Sequence, residues 1–301
     1  MDTNILLENG TNELEVLEFM IGDNHYGINV AKVKEIIPYQ PITFIPNVHS
    51  SIEGIFIPRE KMVTVVSLSK QLKIGTEDPE TDMLVIAYFN KLDVAFRVNK
   101  IVGIHRFSWE QILIPDQTIN NSDSSIATGV IKMDDRLIVI LDFEKIITDI
   151  CPETGLKISD IERLGMRNRS EAPIIVAEDS ALLCQLIYDS LVKAGYSNVT
   201  LCNNGKVAWD KLEEFKQKDN LDDYVQCIIT DIEMPMMDGH RLTKLVKTDD
   251  KLKKLPLVIF SSLINDEMYK KGKALGADAQ ITKPEIGQLV EIIDRLIAER
   301  Y

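Results

Sequence analysis

Cysteine and histidine are scarce in this chain, with four of each among 301 residues. Cys151, Cys184, Cys202 and Cys227 are scattered without ligand spacing, and three of them sit in apolar stretches. Reduced, buried thiols are therefore expected, and neither a disulfide framework nor a zinc site. The isolated histidines show no metal pattern either, so packed or surface roles are expected for them. Positive charge is also short: 34 Lys and Arg stand against 47 Asp and Glu, for a net charge of −13. Such a chain is repelled by phosphates, which argues against nucleic acid or an anionic membrane as partner. No apolar run approaches the ~20 residues of a membrane span, so direct insertion is not expected. Residues 1–12 are polar and acidic, unlike a secretion signal, and a cytoplasmic protein is expected. A content of 45% hydrophobic and 27% charged residues is that of soluble globular proteins. The length suffices for two domains, each with its own core.

The second half is organised around Ile228-Ile229-Thr230-Asp231, continuing through Glu233, Met234-Pro235 and Asp238-Gly239. An apolar run short enough for a buried strand ends in a carboxylate, and helix-like sequence resumes at His240. At the C-terminal end of a buried parallel strand such a group faces the crevice where open α/β sheets bind ligands. Alone, one such aspartate is as readily the cap of the next helix. Three further apolar runs end in polar residues: Ile174 to Ala177 in Glu178-Asp179, Leu257 to Phe260 in Ser261-Ser262, and Ala279 to Thr282 in Lys283-Pro284. Amphipathic stretches alternate with these runs, at Ser180 to Lys193, Gly205 to Gln217, Gly239 to Lys247, Asn265 to Leu275 and Pro284 to Glu299. That alternation predicts βαβ units and a parallel sheet, with Val199 to Cys202 as the remaining strand. Glu178, Asp179 and Asp231 then crowd negative charge at one sheet end, which is unfavourable unless a cation offsets it.

Acid pair, acid, hydroxyl and lysine at four successive strand ends resemble the receiver domain of two-component response regulators, from about Pro173 to Tyr301. The resemblance implies a (βα)5 flavodoxin-like fold with parallel sheet order 2-1-3-4-5. It makes Asp231 the phosphoacceptor, with Lys283 pairing to phosphoryl oxygens and Ser261 hydrogen-bonding one of them. Mg2+ is the implied cofactor, held by Asp179, Asp231 and the backbone carbonyl of Glu233. Glu178 stands where the family usually has aspartate and is expected to act through water. Gln280 stands where receivers usually carry an aromatic residue that turns inward on activation, so the signal is expected to leave by another surface. The positions two beyond the acceptor and two beyond the hydroxyl, Glu233 and Leu263, bear on the water that hydrolyses the acyl phosphate. Neither aligns a water here, and a long-lived phosphoryl group is expected.

The first half reads as many short strands with regular turn signals, the pattern of an all-β barrel or pair of barrels. The strand candidates are Leu14 to Phe19, His25 to Asn29, Ile52 to Ile57, Met62 to Leu68, Met83 to Phe89, Val94 to Val98, Ile101 to Ile104, Gly129 to Met133 and Leu137 to Leu141. Ile42 to Pro46 is expected extended, Val30 to Ile37 one short helix, 118–125 a loop, and Asp142 to Ile147 a closing helical turn. No nucleophile–base set, metal cluster or glycine-rich phosphate loop is present in it. Phe19 to Ile28, Val33 to Ile37 and Gly54 through Arg59 to Leu68 resemble the CheW-like coupling domain of bacterial chemotaxis, over about Leu14 to Ile150. The resemblance implies two five-stranded β-barrels sharing a core, and a surface for a histidine kinase and a chemoreceptor tip. Arg59 and Glu35 are either ordinary solvated charges or contacts in that surface.

The expected organisation is a coupling domain at 14–150, a linker at 151–172 with helical spacing from Ile158 to Met166, and a receiver at 173–301. A CheW-like domain followed by one receiver is the arrangement of the CheV-type chemotaxis proteins. It implies a scaffold joining chemoreceptors to the histidine kinase CheA, tuned by phosphorylation of Asp231 and located at receptor arrays on the inner face of the membrane. The alternative is a response regulator whose first half is an enzyme such as a methylesterase. A transcription factor is disfavoured by the acidity and the β-rich first half.

Overall fold

The computed structural model describes residues 13–75, 77–89, 92–113, 126–133, 135–152, 169–283 and 285–300. They divide into two compact units, one within 13–152 and one within 169–300. The loop at 118–125, part of the turn after Phe89, the helical spacing at 158–166 and Pro284 fall outside the described residues.

Period-two alternation builds the first unit. Its strands are β1 (Glu13–Ile21), β2 (Asn24–Asn29), β3 (Val33–Pro38), β4 (Ile52–Phe56), β5 (Val63–Ser67), β6 (Met83–Phe89), β7 (Leu92–Val98), β8 (Lys100–Ser108), β9 (Ile112–Leu113), β10 (Ala127–Lys132) and β11 (Leu137–Leu141). They form two sheets, ordered β8-β1-β2-β11-β10-β9 and β3-β6-β7-β5-β4. Six and five strands are found among the described residues where two barrels of five were expected, and the additional strand is the two-residue β9. Successive side chains of a strand point to opposite faces, and β1 uses both. Leu17, Phe19 and Ile21 enter one core with Phe89, Phe96 and Phe143, while Leu14 and Val16 enter another with Phe107 and Ile138.

Val30 to Ile37 does not form the expected single helix. Only Val30–Lys32 coils, as a single 3-10 turn, and Val33–Pro38 is the edge strand β3. Val33, Ile36 and Ile37 pair with Ala87, Val85 and Leu84 of β6, and these β-branched residues suit a pleated surface better than a helix. Pro38 fits because it ends an edge strand, where no ladder donor is required. A helix not anticipated, α1 (Leu68–Leu72), follows β5. The closing turn is α2 (Phe143–Ile150), capped by Asp142 accepting from Lys145 N.

The second unit has strands β12 (Ile174–Ala177), β13 (Val199–Cys202), β14 (Cys227–Thr230), β15 (Leu257–Ser261) and β16 (Ala279–Thr282). All pair in parallel in the order β13-β12-β14-β15-β16, which is the expected 2-1-3-4-5. Between and after them run α3 (Ala181–Lys193), α4 (Gly205–Phe215), α5 (Gly239–Thr248), α6 (Asp266–Ala274) and α7 (Ile286–Arg300). Ser180, Asn204, Asp238 and Asn265 cap the first four of these helices, each accepting from the backbone N–H three residues on. Cys202 and Cys227 are buried thiols as expected, Cys184 is half-buried and Cys151 is exposed.

Candidate functional site

A parallel sheet points all its strand C-termini one way, so β12, β14, β15 and β16 deliver their trailing residues to one end. Glu178 and Asp179 follow β12, Asp231 follows β14, Ser261 ends β15 and Lys283 follows β16. Lys283 and Glu178 are 105 positions apart, yet Lys283 Nζ lies 2.7 Å from Glu178 Oε2 and 3.1 Å from Asp231 Oδ2. One oxygen of each of Glu178, Asp179 and Asp231 lies within 4.8 Å of the other two. Glu178, Asp231 and Lys283 are 2%, 4% and 2% exposed, so water screens their charges poorly. One ammonium among three carboxylates leaves negative charge in excess, and the donor set is oxygen only. These residues fit a hard divalent cation.

The loop from Asp231 to Gly239 fixes the central carboxylate. Ile232 N donates to Asp231 Oδ1 at 2.6 Å, while Oδ2 faces Lys283. Gly239 N closes the loop on Ile232 O at 2.9 Å. A Cβ on Gly239 would stand 1.8 Å from Asp231 O, so only glycine permits this closure. The cap of α5 is Asp238, which accepts from Arg241 N, and so the bland role open to a strand-end aspartate does not fall to Asp231. Glu233 is half-buried in the loop. Ser261 is fully buried, its Oγ accepting from Leu263 N at 3.2 Å and its carbonyl from Lys283 N at 3.1 Å. Burial and the neighbouring Glu178 carboxylate push the Cys184 thiol up to about 11.

Two polar residues are packed under α6. Gln280 Nε2 donates to Tyr269 O at 2.7 Å, and its side chain fills a notch left by Gly272, where a Cβ would lie 2.3 Å from Gln280 Oε1. His240, 5% exposed, hydrogen-bonds the backbone of Met268 and is held down to about 3 by burial and by Lys271. Its Nε2 is buried without a hydrogen-bond partner among the described residues.

In the first unit, Arg59 and Glu35 meet each other, Nη2 to Oε2 at 3.0 Å, with the arginine 80% exposed. They stand on the rim of a groove of about 670 Å³ walled by Ile37, Pro38, Pro41, Phe56, Ile57 and Pro58. Gly54, at φ 147°, lets β4 bond Thr43 through both Ile55 N and Ile55 O, since a Cβ there would lie 2.1 Å from Thr43 O. Phe44, Ile57 and Met62 remain largely exposed at 72%, 63% and 64%, and exposed apolar residues of this size mark docking surfaces when they cluster.

A CheW-like domain model matches residues 15–151, and a response regulator receiver domain model matches residues 174–294. Chemotaxis protein CheV3 of Helicobacter pylori is 27% identical over 300 residues, spanning 95% of this chain and 95% of its own length. Chemotaxis protein CheV2 of the same organism is 26% identical over 290 residues, spanning 91% and 90%. This is a CheV-type chain. Chemotaxis protein CheW of Thermotoga maritima, 27% identical over 150 residues, matches half of it and 98% of its own length. The first half of the CheV-type chain is thus a CheW-like domain, and the enzymatic effector half considered as an alternative gives way to that match. No described helix is long and apolar enough to cross a membrane.

Sequence reasoning brought Glu178, Asp179, Asp231, Ser261 and Lys283 of the CheV-type chain to one sheet end, but it missed two pairings. Glu178 contacts Lys283 directly, and Arg59 pairs with Glu35 across 24 positions. The buried arginine of β7, Arg97, was seen only within an apolar strand pattern. A charge interrupting Val94 to Val98 was the signal that a buried ion-pair network stands there.

Proposed function

We propose that this CheV-type chain couples chemoreceptors to the histidine kinase CheA and that Mg2+-dependent phosphorylation of Asp231 tunes the coupling. The observation that carries the reading is Lys283 Nζ placed between Glu178 Oε2 and Asp231 Oδ2, beside Asp179, in a chain whose other half is CheW-like.

Asp231 is the nucleophile. An oxygen of its carboxylate attacks phosphorus of a phosphohistidine; the P–O bond forms as the P–N bond breaks, and the departing imidazole nitrogen takes up a proton. Asp179, Asp231 and the Glu233 carbonyl hold Mg2+, which when bound neutralises phosphoryl oxygens. Lys283 exchanges its contact with Asp231 for a phosphoryl oxygen, and Glu178 keeps the ammonium oriented meanwhile. The Ser261 hydroxyl turns from Leu263 N to donate to another phosphoryl oxygen. Lys283 and Ser261 thus act on the charged phosphoryl oxygens that the donor brings to this sheet end.

The Arg59–Glu35 rim and its apolar groove form the surface through which the CheW-like domain engages kinase or receptor, placing the protein at receptor arrays on the inner face of the membrane. Incubation with phosphorylated CheA and Mg2+ should label the protein, and Asp231→Asn should abolish the label. Undiminished labelling of that variant refutes the assignment. Co-sedimentation with receptor-containing membranes, with and without phosphodonor, tests the coupling itself.

A further inference from the structure

Arg97 is the last residue but one of β7, with its side chain 6% exposed, flanked along the strand by the core residues Phe96 and Val98. Burying a guanidinium costs several kcal/mol unless carboxylates surround it, and a hydrophobic residue of similar size is often as stabilising. Arg97 has the carboxylates. Nε donates to Asp82 Oδ2 at 2.7 Å, and Nη1 lies 3.0 Å from Glu53 Oε1 and 3.2 Å from Glu77 Oε2. Its Nη2 is nevertheless buried with no hydrogen-bond partner among the described residues, a penalty an apolar side chain would not carry. Stability alone is a poor account of this residue.

What Arg97 touches suggests another account. Its guanidinium carbon lies 4.1 Å from the centre of the Tyr39 ring. Tyr39 is anchored twice more in the same network, its OH donating to Glu53 Oε2 at 3.1 Å and its N–H to Asp82 O at 3.0 Å. Tyr39 stands behind the groove, between Pro38 and Gln40 in the chain, and those two neighbours line it together with Pro41. Glu53 belongs to β4, which supplies Ile55 and Phe56 to the opposite wall and leads on to Arg59. One guanidinium therefore holds a chain neighbour of each wall, Tyr39 by stacking and Glu53 by an ion pair through Nη1. Only arginine combines a planar stacking face with a rigid fork of donors; lysine offers a point charge.

We propose that Arg97 is a positioning residue for the groove: through Tyr39 and Glu53 it sets the separation of the two walls and so determines partner docking without touching the partner. This rests on the reading that the groove rimmed by Arg59 and Glu35 is the docking surface.

The test uses the full chain, with purified CheA and with receptor-containing membranes as probes. Arg59→Ala and Glu35→Ala first identify which probe the groove engages. For that probe, Arg97→Lys and Tyr39→Leu should each weaken binding by about tenfold. Phosphorylation of Asp231 by a small-molecule phosphodonor should stay at the wild-type rate in both. Combined with Arg59→Ala, either variant should weaken binding by less than the product of the single effects, because both act through one groove. The two variants break the same stacked contact from its two partners, so if Arg97→Lys fails to fold, Tyr39→Leu decides alone. Wild-type binding by the folded variants, with Arg59→Ala defective, overturns the positioning role. Full multiplicativity with Arg59→Ala also overturns it. Wild-type binding of both probes by Arg59→Ala and Glu35→Ala overturns the docking reading and the inference with it.

Discussion

The sharpest quantitative consequence of the structure concerns His240 and acid. The imidazole is held neutral, its pKa brought from 6.5 to about 3, first by burial and then by the neighbouring Lys271 ammonium. In the unfolded chain the same ring titrates normally. Between those two values the unfolded state binds a proton that the folded state refuses, so stability is fully present above pH 6.5 and is lost as pH falls towards about 3. Moving from pH 7.5 to 4.5, this one group should remove on the order of 2–3 kcal/mol of receiver stability. Carboxylates titrate over the same interval, so the comparison must be with His240→Leu, in which they remain and the imidazole does not. Leucine also removes the orphaned Nε2, offsetting the lost bond to Met268, so at pH 7.5 the two proteins should agree within about 1.5 kcal/mol. The chain has two tryptophans, and a Trp109→Phe background leaves Trp209 in α4 to report the receiver alone. Urea unfolding followed by that fluorescence at each pH gives the two profiles. The His240→Leu profile should fall less steeply below pH 6.5; parallel profiles would refute the buried neutral imidazole.

Three further outcomes follow from the site and its surroundings. Phospho-Asp231 should decay more slowly in the native protein than in a Glu233→Asn, Leu263→Glu double variant, by up to about 10²-fold, because Leu263 is buried beside Ser261 and offers no group to align water. A chase of labelled protein in excess Mg2+ measures this, and equal decay rates defeat the idea. Asp179→Ala should weaken Mg2+ binding in a titration while leaving the receiver folded; unchanged affinity removes Asp179 from the ligand set. Gly272→Ala should destabilise the receiver by about 1–3 kcal/mol by evicting Gln280 from its notch, and adding Gln280→Ala should restore much of the loss, whereas additive effects would show that the notch is not shared.

Legibility in the sequence followed how local the decisive physics was. The receiver was readable because each of its polar groups ends an apolar run, and a parallel sheet converts that pattern directly into proximity. That Glu178, Asp179, Asp231, Ser261 and Lys283 meet at one sheet end needed no knowledge of side-chain packing; the direct contact of Lys283 with Glu178 did, and the strand order came with the receiver resemblance. β3 is not legible locally, because Val33 to Pro38 carries apolar residues at both helical and strand spacing, and pairing with β6, some fifty residues on, decides between them. Arg97 was hidden for a similar reason. Its partners Glu53, Glu77 and Asp82 come from separate segments, and nothing local distinguishes a buried arginine with three carboxylates from an exposed one in the same strand.

The pairing of the first unit also sets a schedule for synthesis. β1 pairs with β8, placing Leu17 opposite Ile104, and β2 pairs with β11, placing His25 opposite Ile138. Neither of the two sheets is assembled from neighbours alone, since β5 also reaches β7 in parallel across β6. A ribosome must therefore release nearly the whole CheW-like domain before β2 has its second neighbour, and until then an uncovered strand edge is held open to other chains. The receiver grows instead by short βα steps, each new strand settling beside one made shortly before, and such local closure is fast. In this molecule the part made first is the part that must wait longest for its contacts.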